Sequence, residues 1–108
     1  MHSGGRLWGL MNKVARLGDI AIGVCYAHET PIMVTGIIAS GSPTVETNRR
    51  RTARIGDIVL FNCGHVGIIV SGSPIVLTNN QRVARIGDIV IGTMNAFIVA
   101  GSENVLVI

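Results

Sequence analysis

One seven-residue string occurs three times in this 108-residue chain, which restricts the fold to repeated units before any other feature is considered. Val14-Ala15-Arg16-Leu17-Gly18-Asp19-Ile20 returns as Thr52-Ala53-Arg54-Ile55-Gly56-Asp57-Ile58 and again as Val83-Ala84-Arg85-Ile86-Gly87-Asp88-Ile89. A second string, Ile37-Ile38-Ala39-Ser40-Gly41-Ser42-Pro43, recurs over residues 68–74 and, in weaker form, over 97–103. The two strings keep register: 15 residues separate Gly41 from Gly56, and 15 separate Gly72 from Gly87.

Each unit reads as β-structure. Thr44-Val45-Glu46-Thr47 and Ile75-Val76-Leu77-Thr78 are rich in β-branched residues. Asn48-Arg49 and Asn79-Asn80 follow them, and asparagine tolerates the positive φ of tight hairpin turns. The Ala-Arg string then returns as a second strand and ends at Gly-Asp, a further turn signal. No stretch carries a sustained 3.6-residue apolar period, so little or no helix is expected. The third unit stops at Ile108, where the other two have their turn asparagine, and the first Ala-Arg string lacks a preceding strand. Pairing residues 13–17 with 105–108 solves both problems and closes the three units into a ring without an exposed edge. The expected fold is therefore all-β, a small pseudo-threefold arrangement of three β-hairpin repeats. One domain is expected over 13–108, with residues 1–12 as an N-terminal arm or an appended segment foreign to the fold.

The units differ in length between the Gly-Asp and Gly-Ser glycines: 23 residues from Gly18 to Gly41, 16 from Gly56 to Gly72 and 14 from Gly87 to Gly101. The extra length carries Cys25-Tyr26-Ala27-His28 in the first unit and Cys63-Gly64-His65 in the second. Both cysteines, and every histidine except His2, thus occupy the same connecting segment of their repeats, and those segments should converge at one end. Cys25, His28, Cys63 and His65 would make a closed four-ligand set of the softness zinc prefers, structural rather than catalytic. A Cys25–Cys63 disulfide, buried free thiols beside incidental histidines, and a catalytic Cys–His pair are the competing readings.

Composition excludes other classes. The chain is apolar, with a mean hydropathy of +0.53 and 14% charged residues. Yet every apolar run is broken well short of the roughly 20 residues of a spanning helix, and the N-terminus has no secretory signal pattern. The net charge is +3, and Arg49-Arg50-Arg51 is its densest run. With only Trp8, Tyr26, Phe61 and Phe97 as aromatics, the stacking platform of a nucleic-acid module is missing. Asp19, Asp57 and Asp88 recur at one repeat position, each three residues after an arginine, which points to a turn role rather than a catalytic set. The surplus of apolar residues points to an interaction face.

The thrice-repeated Ala-Arg-(Leu/Ile)-Gly-Asp and Gly-Ser-Pro strings, from Val14 onward, resemble the PAAR-repeat family. Its namesake Pro-Ala is replaced here by Lys13-Val14, Arg51-Thr52 and Arg82-Val83. The resemblance implies a small β-cone with a metal near its vertex; the ligand set points to zinc, with iron as the alternative. Family sites often use three histidines and one cysteine; the matching segments here offer Cys25, His28, Cys63 and His65, with His2 as a possible substitute. It also implies a non-enzymatic role, sharpening and capping the blunt end of a trimeric β-helical spike, one copy per trimer. Such spikes belong to T4-like contractile phage tails and type VI secretion systems. The expected location is then a virion tail tip, or the bacterial cytoplasm before injection, with a target membrane met transiently and no nucleic-acid partner. The chain's end at Ile108 leaves no room for a C-terminal effector under this reading. The rival reading is a small zinc-stabilised nucleic-acid-binding or adaptor module.

Overall fold

The computed structural model describes residues 11–108. Residues 1–10, including most of the expected arm and His2, lie outside the described residues. Among the described residues no helix forms, and twelve strands alternate between two kinds of hairpin. Long hairpins are β2 (Ile20–Cys25) with β3 (Ile32–Ile38), β6 (Ile58–Phe61) with β7 (Val66–Ile69), and β10 (Ile89–Ile91) with β11 (Met94–Ile98). Short ones are β4 (Glu46–Thr47) with β5 (Arg50–Arg51), and β8 (Leu77–Thr78) with β9 (Gln81–Arg82). The third short pair joins the chain's two ends, β1 (Asn12–Lys13) against β12 (Leu106–Val107).

The three long hairpins close into a six-stranded antiparallel barrel in the order β10-β11-β2-β3-β6-β7. Its interior is packed solid by Val34, Ile38, Val59, Phe61, Ile69, Val90, Met94 and Ile98. A barrel this narrow needs glycine where walls approach: a Cβ on Gly23 would lie 2.2 Å from the backbone oxygen of Asn95, and one on Gly36 would lie 2.7 Å from the Phe61 ring.

Below the barrel the repeats behave alike, bond for bond. The backbone N–H of Ala15 donates to Ala84, that of Ala84 to Ala53 and that of Ala53 to Ala15, a closed ring of three hydrogen bonds at 2.9–3.0 Å. Each Arg-(Leu/Ile)-Gly-Asp string is a turn in which the aspartate N–H donates to the arginine carbonyl at 3.0 Å. Gly18, Gly56 and Gly87 supply its third position at φ 88°, 94° and 92°, the left-handed conformation of a type II turn. The aspartates are buried, and each accepts from the backbone N–H, Nε and Nη2 of the arginine before it. Ser40 and Ser71 add a fourth donor to Asp57 and Asp88. Ala100 stands at the corresponding place in the third unit, and Arg50 supplies the missing donor to Asp19 instead. One arginine of the Arg49-Arg50-Arg51 run thus has a structural partner.

The Gly-Ser motif has an equally specific reason. Ser42, Ser73 and Ser102 are fully buried, and each hydroxyl accepts the backbone N–H groups two and three residues on. Each donates in turn to the neighbouring unit: Ser42 to Asn79, Ser102 to Asn48, and Ser73 to the backbone oxygen of Ile108. Asn48-Arg49 and Asn79-Asn80 take φ of 53–66°, the paired left-handed residues of a type I′ hairpin.

The expected pairing of the chain's ends is present, shifted toward the N-terminus: Asn12 faces Val107, Lys13 faces Leu106, and the Val14 N–H donates to Val105. Residues 14–17, expected in that strand, instead make the alanine ring, the bridge from Val14 to Arg85, that from Arg16 to Thr52, and the turn. The larger difference lies in the barrel. The segments that look like connections between hairpins are the main strands of the molecule. They give no alternating signal because both of their faces are apolar, so a period of two never shows.

Candidate metal centre

The barrel's strands end in three loops on the side away from the short hairpins, and these loops carry the cysteines and histidines. Cys25 is the last residue of β2, its side chain buried inside the barrel mouth. His28 follows in the six-residue loop to β3. Cys63 and His65 sit in the tight connection from β6 to β7, where Gly64 at φ 87° lets the Gly64 N–H reach the Phe61 carbonyl at 3.0 Å. The Phe61 N–H donates to the His65 carbonyl at 3.0 Å, which fixes the histidine's backbone against the barrel rim.

All four residues singled out in the sequence come together. One ligand atom from each of Cys25, His28, Cys63 and His65 lies within 4.8 Å of every other. Sγ of Cys63 is 3.4 Å from Nδ1 of His65, and Sγ of Cys25 is 3.7 Å from the same atom. Bonds of about 2.3 Å to sulfur and 2.0–2.1 Å to nitrogen, spread tetrahedrally, would set such edges at about 3.6 Å. The rings of His28 and His65 meet edge-on, with centroids 5.2 Å apart and planes at 66°, so both can turn a nitrogen toward one point.

The chemistry of the set passes an independent test. Nε2 of His28 is buried without a hydrogen-bond partner. Buried polar atoms are rarely left so, because an unmet group costs about 1–3 kcal/mol. Coordination would satisfy it. The group could hold a metal ion, with four protein ligands and no open position. Cys25 and Cys63 are free thiols rather than a disulfide.

The third repeat contributes no ligand, as its sequence indicates, but it contributes Thr93, which sequence reasoning misses. The Thr93 hydroxyl lies 3.5 Å from Sγ of Cys25, and its carbonyl accepts the Tyr26 N–H at 2.8 Å. That hydroxyl is the main cause holding the Cys25 thiol below its ordinary value; burial opposes it, and the Ala27 backbone and Cys63 assist. A depressed thiol favours the thiolate, the form that binds metal. The only signal in the sequence is positional: Thr93 falls in the same repeat segment as the two Cys/His pairs.

The chain matches no protein-family model and no curated protein.

Proposed function

We propose that this chain is the pointed cap of a contractile injection spike, a pseudo-threefold cone whose vertex is stapled by zinc and whose base seats on a three-chain β-helical shaft. The observation that carries this reading is the ring of hydrogen bonds through Ala15, Ala53 and Ala84, which supports reading the chain as three like units about one axis. A single copy then meets a trimer without mismatch, whereas a protein without such internal repetition would present a different face to each of three identical chains.

The end opposite the Cys/His group supports the seat. There a shallow depression of about 130 Å³ is lined by residues that come in repeat-related threes: Val14, Thr52 and Val83; Val45, Val76 and Val105; Thr47, Thr78 and Val107. Its lining is uncharged and mostly apolar, and Ile75 and Leu77 stand exposed on one of the short hairpins beside it, β8 with β9. Apolar projections from three identical chains would fill it together.

At the vertex, zinc held by Cys25, His28, Cys63 and His65 would cross-link two loops where there is little interior to bury. The chain's own residues do the remaining work: Thr93 orients Cys25, and the Phe61–His65 and Tyr26–Thr93 backbone bonds anchor both loops to the barrel rim. Nothing in this role calls for turnover of a substrate.

The test is stoichiometry. Mixed with a trimeric β-helical spike protein, the chain should form a complex of one copy per three spike chains by light scattering, and Val45→Glu with Val76→Glu should abolish it while metal content stays unchanged. A three-to-three complex, or binding to duplex DNA with an affinity that survives these changes, would favour the adaptor reading instead.

A further inference from the structure

The outer wall of the barrel is as apolar as its interior. Antiparallel sheets that face water on one side normally alternate apolar-in with polar-out. Here the exposed strand positions carry Ile22, Met33, Leu60, Ile68, Ile91 and Phe97, with Leu60 at 52% and Phe97 at 54% exposure. Among exposed positions of the six barrel strands, Thr35 and Asn95 are the only polar side chains, and none is charged. Across residues 20–40, 58–71 and 89–100, Glu29 in the first loop is the single Asp, Glu, Lys or Arg.

The charges are gathered at one border instead. Arg16, Arg54 and Arg85 follow the barrel's lower rim but are each held by a buried aspartate, as is Arg50; the arginines left exposed on the adjoining hairpins are Arg49, Arg51 and Arg82, against the exposed carboxylates Glu46 and Glu103. Three features then coincide: an apolar surface on every strand of a closed ring, no unpaired strand edge in that ring, and three exposed arginines, Arg49, Arg51 and Arg82, along one margin.

We infer that the barrel wall is a lipid-contacting surface, which enters the hydrocarbon of one leaflet while the exposed Arg49, Arg51 and Arg82 meet anionic headgroups. A protein partner usually covers one side of a small domain, but this wall is apolar all the way round, and a bilayer surrounds what it admits. Apolar solvent demands that every backbone group be paired within the structure, which a closed barrel achieves and an open sheet does not. Arginines at the margin gain from the negative surface potential of anionic lipid. The depth agrees: the longest strand, β3, has 7 residues and rises about 23 Å before tilt. That reaches through one leaflet of a core about 30 Å thick without spanning it. Lipid contact rests on the barrel alone and stands or falls separately from the spike partner.

The experiment is co-flotation of the full chain, without any spike protein, with vesicles of phosphatidylcholine and phosphatidylglycerol in a two-to-one ratio. The chain should float with the vesicles, and part of that binding should resist high salt. Leu60→Glu with Phe97→Glu should lower partitioning at least about ten-fold, with circular dichroism and metal content unchanged because both side chains are exposed. A Phe97→Trp probe in a Trp8→Phe background should shift its emission to the blue and be quenched by lipids brominated on their acyl chains. Failure of the unaltered chain to float would overturn the inference, as would binding that the double variant retains and salt removes, which would be surface electrostatics alone. Capture of a soluble protein through Leu60 and Phe97, with no vesicle binding, would assign the wall to a protein partner and equally overturn it.

Discussion

The barrel and the tier of short hairpins beneath it are made from the same three repeats but are held by different physics. In the tier, nearly every polar group has a counterpart in the other two units: three buried aspartates on three arginines, three buried serines reaching across to the next unit, three alanines bonded in a ring. In the barrel the repeats diverge in length and loop, and what they share is apolar side chains on both faces of each strand, packed on the inner face and exposed on the outer. The contrast explains why the recurring strings stop at the barrel's edge. A network of directional bonds tolerates few substitutions, since one lost partner strands another in a buried site. Apolar packing asks only for volume and pattern, which leaves the barrel's far end free to vary and to carry a Cys/His pair in two units out of three.

The sharpest way to break this contrast is in the tier. Asp57→Ala leaves Arg54 and Ser40 without their shared acceptor, and removing one partner of a buried pair costs about 3–5 kcal/mol. Chemical denaturation should register that loss, and a change below about 1 kcal/mol would show that the tier is not held by its aspartates.

A second test compares neighbours on one strand. Ile69 points into the barrel and is fully buried, while Ile68 beside it is half exposed on the wall. Ile69→Ala should cost about 2–5 kcal/mol, and Ile68→Ala about 0.5 kcal/mol or less, both read from denaturant midpoints. Equal effects would contradict the claim that the wall's apolar side chains serve something other than stability.

The smallest expected effect belongs to the hydroxyl beside the ligands. Thr93→Val should weaken metal binding roughly ten-fold, as loss of a partner behind a ligand commonly does. Competition with a chelator measures it, and Thr93→Ser should restore the affinity. A Val variant that binds as tightly as the original chain would reduce Thr93 to a packing residue.

How much of this is legible in the residues follows the same division. The type I′ turns at Asn48-Arg49 and Asn79-Asn80, the Gly-Asp turns, and the union of the chain's two ends can all be read, because turn chemistry and repeat register are local signals. Convergence of Cys25, His28, Cys63 and His65 is legible too, since equivalent places in a repeat must meet if the repeats close. The barrel is not. Strands such as β3 and β7 show apolar residues on both faces, which removes the alternation that reveals a strand. The surplus of apolar residues suggests an interaction face without saying where it lies; much of it is on the barrel wall, at Ile22, Leu60, Ile68 and Phe97. The cross-unit bonds of Ser42, Ser73 and Ser102 are hidden for another reason: they join residues 35–54 positions apart, and only the closed ring brings them together.

The central claim is that the Cys/His group acts as a metal staple, and elemental analysis of the purified chain tests it directly. About one zinc ion per chain is predicted, consistent with a closed set of four protein ligands, with loss of that zinc in a Cys25→Ser, Cys63→Ser double variant. Full metal occupancy in the double variant, or a well-folded original chain that holds no metal after purification in the presence of zinc, would contradict it.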